Sequence, residues 1–185
     1  MELFQERGYL QTTVQDIATH AGLTERTFFR YFADKREVLF SGSAELEKSI
    51  TDRIDGAPRE AGPLEVVAGA LEAAGAELQD RRDLRFVRAR YALVTKHAEL
   101  QERELIKLAA LARAVTTALD ARGVSEPAAS LAAEAGIAVF KIAFERWVSE
   151  RNPRDFAAHI RAAVEALKVL TAEGNKQAKP AGRRR

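Results

Sequence analysis

The chain has no cysteine among its 185 residues. Disulfides, thiol catalysis and cysteine-based zinc sites are therefore excluded. Histidine is almost as scarce. Only His20, His97 and His159 occur, with no HExxH spacing to set two of them around a metal. No glycine-rich phosphate loop appears. These absences remove support for an enzyme, so no catalytic residue, metal site or cofactor is expected. No apolar run approaches the roughly 18 residues a membrane span needs. The opening MELFQERGYL has neither the basic start nor the apolar core of a secretion signal. A cytoplasmic protein without a membrane partner is expected. What is present is the balance of a globular domain, 46% hydrophobic and 30% charged. The net charge of +2 conceals an asymmetry. Lys176, Lys179, Arg183, Arg184 and Arg185 give the last twelve residues +5, which leaves the body at −3. Such a tail either touches DNA phosphates without sequence preference or is a disordered solubilising segment.

Apolar residues recur at helical spacing nearly throughout, and no segment alternates like a strand. The pattern predicts an all-α fold of about nine helices. The chain opens inside a helix that stops at Gly8. Thr13, with Asp16 three residues on, caps a short helix bearing Val14, Ile17, Ala18 and Ala21. Gly22 breaks it, and Thr24 caps the next helix, with Phe28 and Phe32 inward. Asp34 with Glu37 opens a longer helix to about Asp55. Gly56, Pro58, Gly62 and Pro63 form a connector. Helices are then predicted at about Leu64–Asp80, over Arg81–Lys96, through Leu108–Leu119 to Gly123, and from Ser125 and Pro127 to Glu150. Asn152 and Pro153 read as a cap and first-turn pair opening a last helix that ends at Gly174.

Two short helices around a glycine turn, with a third apolar helix behind, make a helix-turn-helix. Gly22 suits the turn because glycine tolerates positive φ. Glu25, Arg26, Thr27 and Arg30 face outward near the start of the second helix, where a recognition helix meets base edges. Arg26 suits guanine best, through paired bonds to O6 and N7. The helix starts at Thr13, Thr24 and Lys35 offer backbone N–H groups to phosphates.

The run GY…TTVQDIA…AGLTERTFFRYFADKREVL closely resembles the DNA-binding signature of the TetR (tetracycline repressor) family. The resemblance is strong over Met1–Phe40 and architectural beyond it. It implies an N-terminal DNA-binding domain at 1–41, a ligand-binding and dimerisation domain at 42–174, and a basic tail, expected to be disordered, at 175–185. It also implies a homodimeric repressor that leaves double-stranded operator DNA when a small-molecule effector binds. By motif position, Thr13, Thr24, Glu25, Arg26, Thr27, Phe29, Arg30, Tyr31 and Lys35 fall in the DNA-contacting region. Lys35 and Thr27 would meet phosphates; Glu25 and Arg26 would sit near bases.

Two features depart from the family pattern. Phe29 stands where a phosphate-bonding tyrosine is usual, a loss of about 1 kcal/mol. The first helix begins late, which points to a natural start upstream. Arg7, Arg26, Arg30, Lys35 and Arg36 are outweighed by Glu2, Glu6, Asp16, Glu25, Asp34 and Glu37, so residues 1–40 sum to −1. Binding to DNA should weaken accordingly. The alternative is a dimeric small-molecule-binding protein with impaired DNA binding.

Arg81, Arg82, Arg85, Arg88, Arg90 and Lys96 against Asp83 place +5 on one predicted helix. Two readings stand: recognition of an anionic ligand, or a solvated face paired with acids such as Glu99, Glu102 and Glu104. With the following KHAELQERE, this stretch vaguely resembles family members that sense acyl-CoA-like molecules, so the effector is expected to be hydrophobic or acyl-CoA-like. Phe86, Arg90, Tyr91, Phe140, Phe144 and Trp147 are the candidate ligand-binding residues, with ordinary core packing as the alternative. His97 and His159 read as surface or capping residues or as polar pocket groups. Ala128, Ala129, Ala132, Ala133, Ala135, Gly136 and Ala138 permit close helix packing. Ile137, Phe140, Phe144 and Val148 lie beside a second row, Leu131, Val139 and Ile142. A helix apolar on more than one face needs more cover than one neighbour supplies. A dimer through the last two helices would provide it, as would burial at the centre of its own domain.

Overall fold

The computed structural model of the chain describes residues 1–151 and 155–177. These residues form nine α-helices and one 3-10 turn, with no strand. The helices are α1 (Glu2–Arg7), α2 (Val14–His20), α3 (Glu25–Tyr31), α4 (Ser43–Asp55), α5 (Pro63–Arg81), α6 (Leu84–Lys96), α7 (Ala98–Ala121), α8 (Ala128–Ser149) and α9 (Phe156–Gln177). The 3-10 turn spans Lys35–Phe40 and joins the N-terminal three-helix unit to the rest. The all-α reading thus holds. The Asn152–Pro153 pair and residues 178–185 of the basic tail lie outside the described residues.

Three local expectations change. The helix predicted from Asp34 to Asp55 is two segments. Asp34 does cap its start, accepting the Arg36 amide at 2.7 Å, but the turn is 3-10 and stops at Phe40. Two causes act together. Ser41, Gly42 and Ser43 are poor helix formers. In addition, Arg90 Nε donates to the Leu39 carbonyl at 2.7 Å, so that carbonyl is satisfied without an intrahelical donor. The basic stretch Arg81–Lys96 is also not one helix. Arg81 ends α5, and Asp83 caps α6 by accepting the Arg85 amide at 2.7 Å. Finally, α9 continues through Gly174 to Gln177.

The main core lies where α5, α8 and α9 meet α4 and α7. Val67, Leu71 and Ala74 of α5 are buried against Ile137 and Phe140 of α8 and Ile160 and Val164 of α9. Small residues set the spacing. A Cβ on Gly136 would collide with the Val67 side chain, and one on Gly75 would stand 2.7 Å from Ile160 Cδ1. Glycine at these two positions is therefore a matter of helix approach. A second, smaller cluster of Phe4, Tyr9, Leu39, Phe40, Val94 and Leu100 joins the N-terminal unit to α6 and α7. Each such side chain, fully buried, contributes about 1.5–3 kcal/mol.

Candidate nucleic-acid interface

Local hydrogen bonds build the N-terminal unit. Thr12, fully buried, donates its hydroxyl to the Gly8 carbonyl at 2.8 Å and closes the end of α1. Thr13 and Asp16 form a reciprocal capping box. The Asp16 amide donates to Thr13 Oγ1 at 3.1 Å, and the Thr13 amide donates to Asp16 Oδ2 at 2.9 Å. These bonds, led by the Thr13 hydroxyl, hold the Asp16 carboxyl below its usual range. Ala21 and Leu23 return amides to Ile17 and Ala18 carbonyls, and Gly22 takes φ 68°. That is the left-handed turn glycine accommodates most easily. Thr24 Oγ1 then accepts the Thr27 amide at 3.2 Å and starts α3.

Phe28 sets the orientation of α3. It is 3% exposed and contacts Phe29 and Phe32 at ring distances of 5.5 and 5.2 Å. With Phe28 pinned inward, Glu25, Arg26, Phe29, Arg30 and Tyr31 lie on the surface. Phe29 and Tyr31 are 52% and 65% exposed. Arg30 lies over the Tyr31 ring at 4.8 Å and donates to its hydroxyl at 3.0 Å. Arg26 makes no hydrogen bond or ion pair among the described residues. Exposed arginines beside exposed aromatic rings on a short helix suit a groove of DNA.

Four further predicted contacts are engaged within the protein. The Thr13 hydroxyl is taken by Asp16, and Thr24 and Thr27 share a bond of 3.0 Å. Lys35 differs most from its expected phosphate role. Its Nζ donates to the carbonyls of Tyr9 at 2.8 Å and Thr12 at 3.0 Å and sits 4.4 Å from the Tyr9 ring centre. A phosphate would have to compete with these carbonyls. Lys35 instead holds the loop before α2 in place. Its position in the sequence does not reveal this, because the acceptors lie more than twenty residues away.

The six residues predicted to bind a ligand do not converge. Phe140, Phe144 and Trp147 of α8 join Tyr91 and Phe156 in a packed aromatic cluster. Trp147 stacks on Phe156 at 4.8 Å, and Tyr91 meets Phe144 edge-on at 5.9 Å. Trp147 is 2% exposed. Phe86 lies outside both hydrophobic clusters, under the Arg82 guanidinium at 5.2 Å. Arg90 is directed toward the 3-10 turn. A groove of about 510 Å³ between the end of α4 and the start of α5 includes Arg53, Pro58, Glu65 and Gly69 in its lining, and none of the six.

The arginines of α6 are mostly internal ties. Arg88 Nε donates to the Val148 carbonyl at 2.9 Å, and its Nη2 to the Glu150 carbonyl. Arg90 pairs with Glu104 at 3.1 Å, in keeping with the reading of a face paired with acids. Arg122 likewise closes the end of α4, donating to the carbonyls of Ile54, Ala57 and Pro58 at 2.7–2.9 Å. Its role is not visible in the sequence, since those acceptors lie more than sixty residues away. His159 is buried, 3.5 Å from Glu150, and His97 caps the α6–α7 joint against Tyr9, with ring centres 4.9 Å apart.

Glu37 secures the 3-10 turn to α7, bonding Arg103 and lying 3.2 Å from Lys107. The Arg103 bond, helped by Lys107, holds its carboxyl below the ordinary value of 4.5. A depressed folded-state value means that the stabilisation is complete above 4.5 and is lost as pH falls through the lower value. Glu37→Gln is therefore expected to cost about 1.5–3 kcal/mol at neutral pH, as for hydrogen bonds to charged groups. Urea titrations of variant and wild type should converge as pH drops below 4.5. A difference independent of pH would show that the charge on Glu37 is irrelevant.

Comparison with known proteins agrees with this geometry. Residues 1–41 match the model of the bacterial regulatory proteins, tetR family. The HTH-type transcriptional regulator TcmR of Streptomyces glaucescens is 34% identical over 80 residues, 43% of this chain and 35% of that protein. The match thus spans about a third of the relative's length. The crystal structure of Thermus thermophilus FadR, a TetR family transcriptional repressor in complex with lauroyl-CoA, shares the fold. Its TM-score is 0.55 at 22% identity, covering 91% of this chain and 89% of that one. Residues 1–41 thus carry the helix-turn-helix of the tetR family of bacterial regulatory proteins.

Proposed function

We propose that the chain is a ligand-responsive transcriptional repressor that binds palindromic operator DNA as a homodimer and leaves it when a small-molecule effector binds. The observation that carries this reading is the outward face of α3, with Arg26, Phe29, Arg30 and Tyr31 around a buried Phe28. Residues 1–41 serve as the DNA-binding domain and 42–174 as the sensing and dimerisation domain. A second copy is suggested by α8 and α9, where Leu131, Ile142, Val169 and Leu170 are 48–69% exposed. Val139, expected in the same outer row, is buried. Two copies packed through these helices would cover the apolar residues and set two α3 helices about 34–36 Å apart for successive major grooves. FadR holds lauroyl-CoA, and this supports an effector that is hydrophobic or acyl-CoA-like.

The test is a footprint on DNA selected for binding to the wild-type chain, with and without acyl-CoA thioesters. Protection that disappears with effector supports the proposal. Tight effector binding that leaves the footprint unchanged refutes the release step. No retardation even at low salt favours the alternative, a dimeric ligand-binding protein with impaired DNA binding. The dimer is tested separately. Leu131→Glu with Leu170→Glu is expected to convert a dimer to a folded monomer by light scattering, with operator affinity lowered by at least about tenfold. A wild-type chain that is monomeric at micromolar concentration would remove the two-site geometry.

A further inference from the structure

The two arginines Arg88 and Arg90 are two residues apart, so they leave α6 on nearly opposite sides. Arg88 reaches the last carbonyls of α8. Arg90, with its side chain 19% exposed, reaches the 3-10 turn that closes the N-terminal unit. There its Nε donates to the Leu39 carbonyl at 2.7 Å, its guanidinium covers the Phe40 ring at 4.8 Å, and Nη1 donates to Glu104 of α7 at 3.1 Å. One side chain thus joins α6, α7 and the unit that carries α3. Between the two arginines' reaches, Tyr91 lies against Phe144 in the aromatic cluster.

We infer that Arg90 is a positioning residue that couples the aromatic cluster of the helical domain to the recognition helix, and that it is not a ligand-binding group. The planar fork explains why arginine stands here. Nε and Nη1 point in fixed, divergent directions, one to a carbonyl and one to a carboxylate, and lysine has no such pair. Without Arg90, the Leu39 carbonyl loses its donor and Glu104 its partner, so a shift of α6 reaches the 3-10 turn only through the non-directional apolar contacts of Leu39 and Phe40. The shift itself need only be small, because packed elements respond by changing between discrete arrangements. The inference deepens the regulator reading and rests on it for biological meaning, but its test does not use DNA.

The experiment reads amide hydrogen exchange in α3 of the full chain. Phe144→Leu perturbs the aromatic cluster without emptying it. In the wild-type background it is expected to change exchange across Glu25–Tyr31 by at least about fivefold, the lower range of ordinary coupling. In an Arg90→Gln background the same change should move α3 exchange by about twofold or less, while exchange within α8 responds as before. Arg90→Lys should behave like Arg90→Gln. If Arg90→Gln is poorly folded by circular dichroism, Glu104→Gln tests the same link from the α7 side and should weaken the coupling in the same direction. Equal α3 responses with and without Arg90, or no α3 response in the wild-type background, would overturn the inference. Loss of coupling alongside absent DNA binding would uphold it and sink only the regulator reading.

Discussion

Replacing Arg26 and Arg30 together by alanine is expected to abolish sequence-specific retention of operator DNA while leaving the protein folded. Both side chains are exposed. Arg26 has no partner among the described residues, and Arg30 touches only the exposed Tyr31. Surface changes of this kind alter stability by about 0.5 kcal/mol or less. The effect on DNA should be much larger. An arginine paired with a guanine edge discriminates by about 1–3 kcal/mol. In the proposed dimer, with two such arginines, Arg26 alone is expected to account for about 2–6 kcal/mol, or roughly thirtyfold to twenty-thousandfold in affinity. If Arg30 meets the phosphate backbone of the proposed complex, its loss should reduce the dependence on salt by about one ion per half-site. The separate contributions are measurable. Arg26→Ala should relax preference at one base position, whereas Arg30→Ala should weaken all sequences alike. Operator affinity unchanged in the double variant would remove α3 as the reading element.

Trp147→Ala is expected to be the most destabilising single change outside the N-terminal unit. Trp147 is 2% exposed, stacks on Phe156 at 4.8 Å and meets Phe144 at 6.0 Å. Truncating such a residue costs about 3–5 kcal/mol through lost transfer energy and the cavity left behind. That is a large share of the roughly 5–15 kcal/mol by which a domain is ordinarily stable. The midpoint of thermal unfolding should fall by roughly 6–20 °C in a chain of this length. Trp147 is the only tryptophan, so circular dichroism is the appropriate probe. Phe86→Ala, outside both clusters, should cost far less. Equal costs at the two positions would mean that the aromatic cluster is loosely packed.

The readable and unreadable parts of this molecule differ in the length of chain over which their causes act. Thr13 with Asp16, Gly22 and Thr24 form their bonds within a few residues, so the helix-turn-helix is legible as a pattern. The inward side of α3, with Phe28 buried and the half-buried Phe32 at the helix end, follows from helical spacing. The six expected ligand residues show the opposite case. Helical period groups Phe140, Phe144 and Trp147, and the structure keeps them together. It separates Phe86 and Arg90, because their surroundings come from Arg82, Leu39 and Glu104 and not from α6 itself. Likewise, the unbroken helix expected from Asp34 to Asp55 ignores an arginine fifty-one residues from Leu39 that claims its carbonyl.

The sequence by itself determined an all-helical chain with a capped, glycine-hinged recognition unit, since caps, turns and helical period depend on near neighbours. Only the tertiary structure decided which basic side chains are free and which are ties. Arg26 stays open to solvent, whereas Lys35, Arg88, Arg90 and Arg122 are held by backbone carbonyls from distant segments. The physical reason is that a buried or half-buried carbonyl must find a donor, and which cation supplies it depends on the packing of helices that are far apart in the chain.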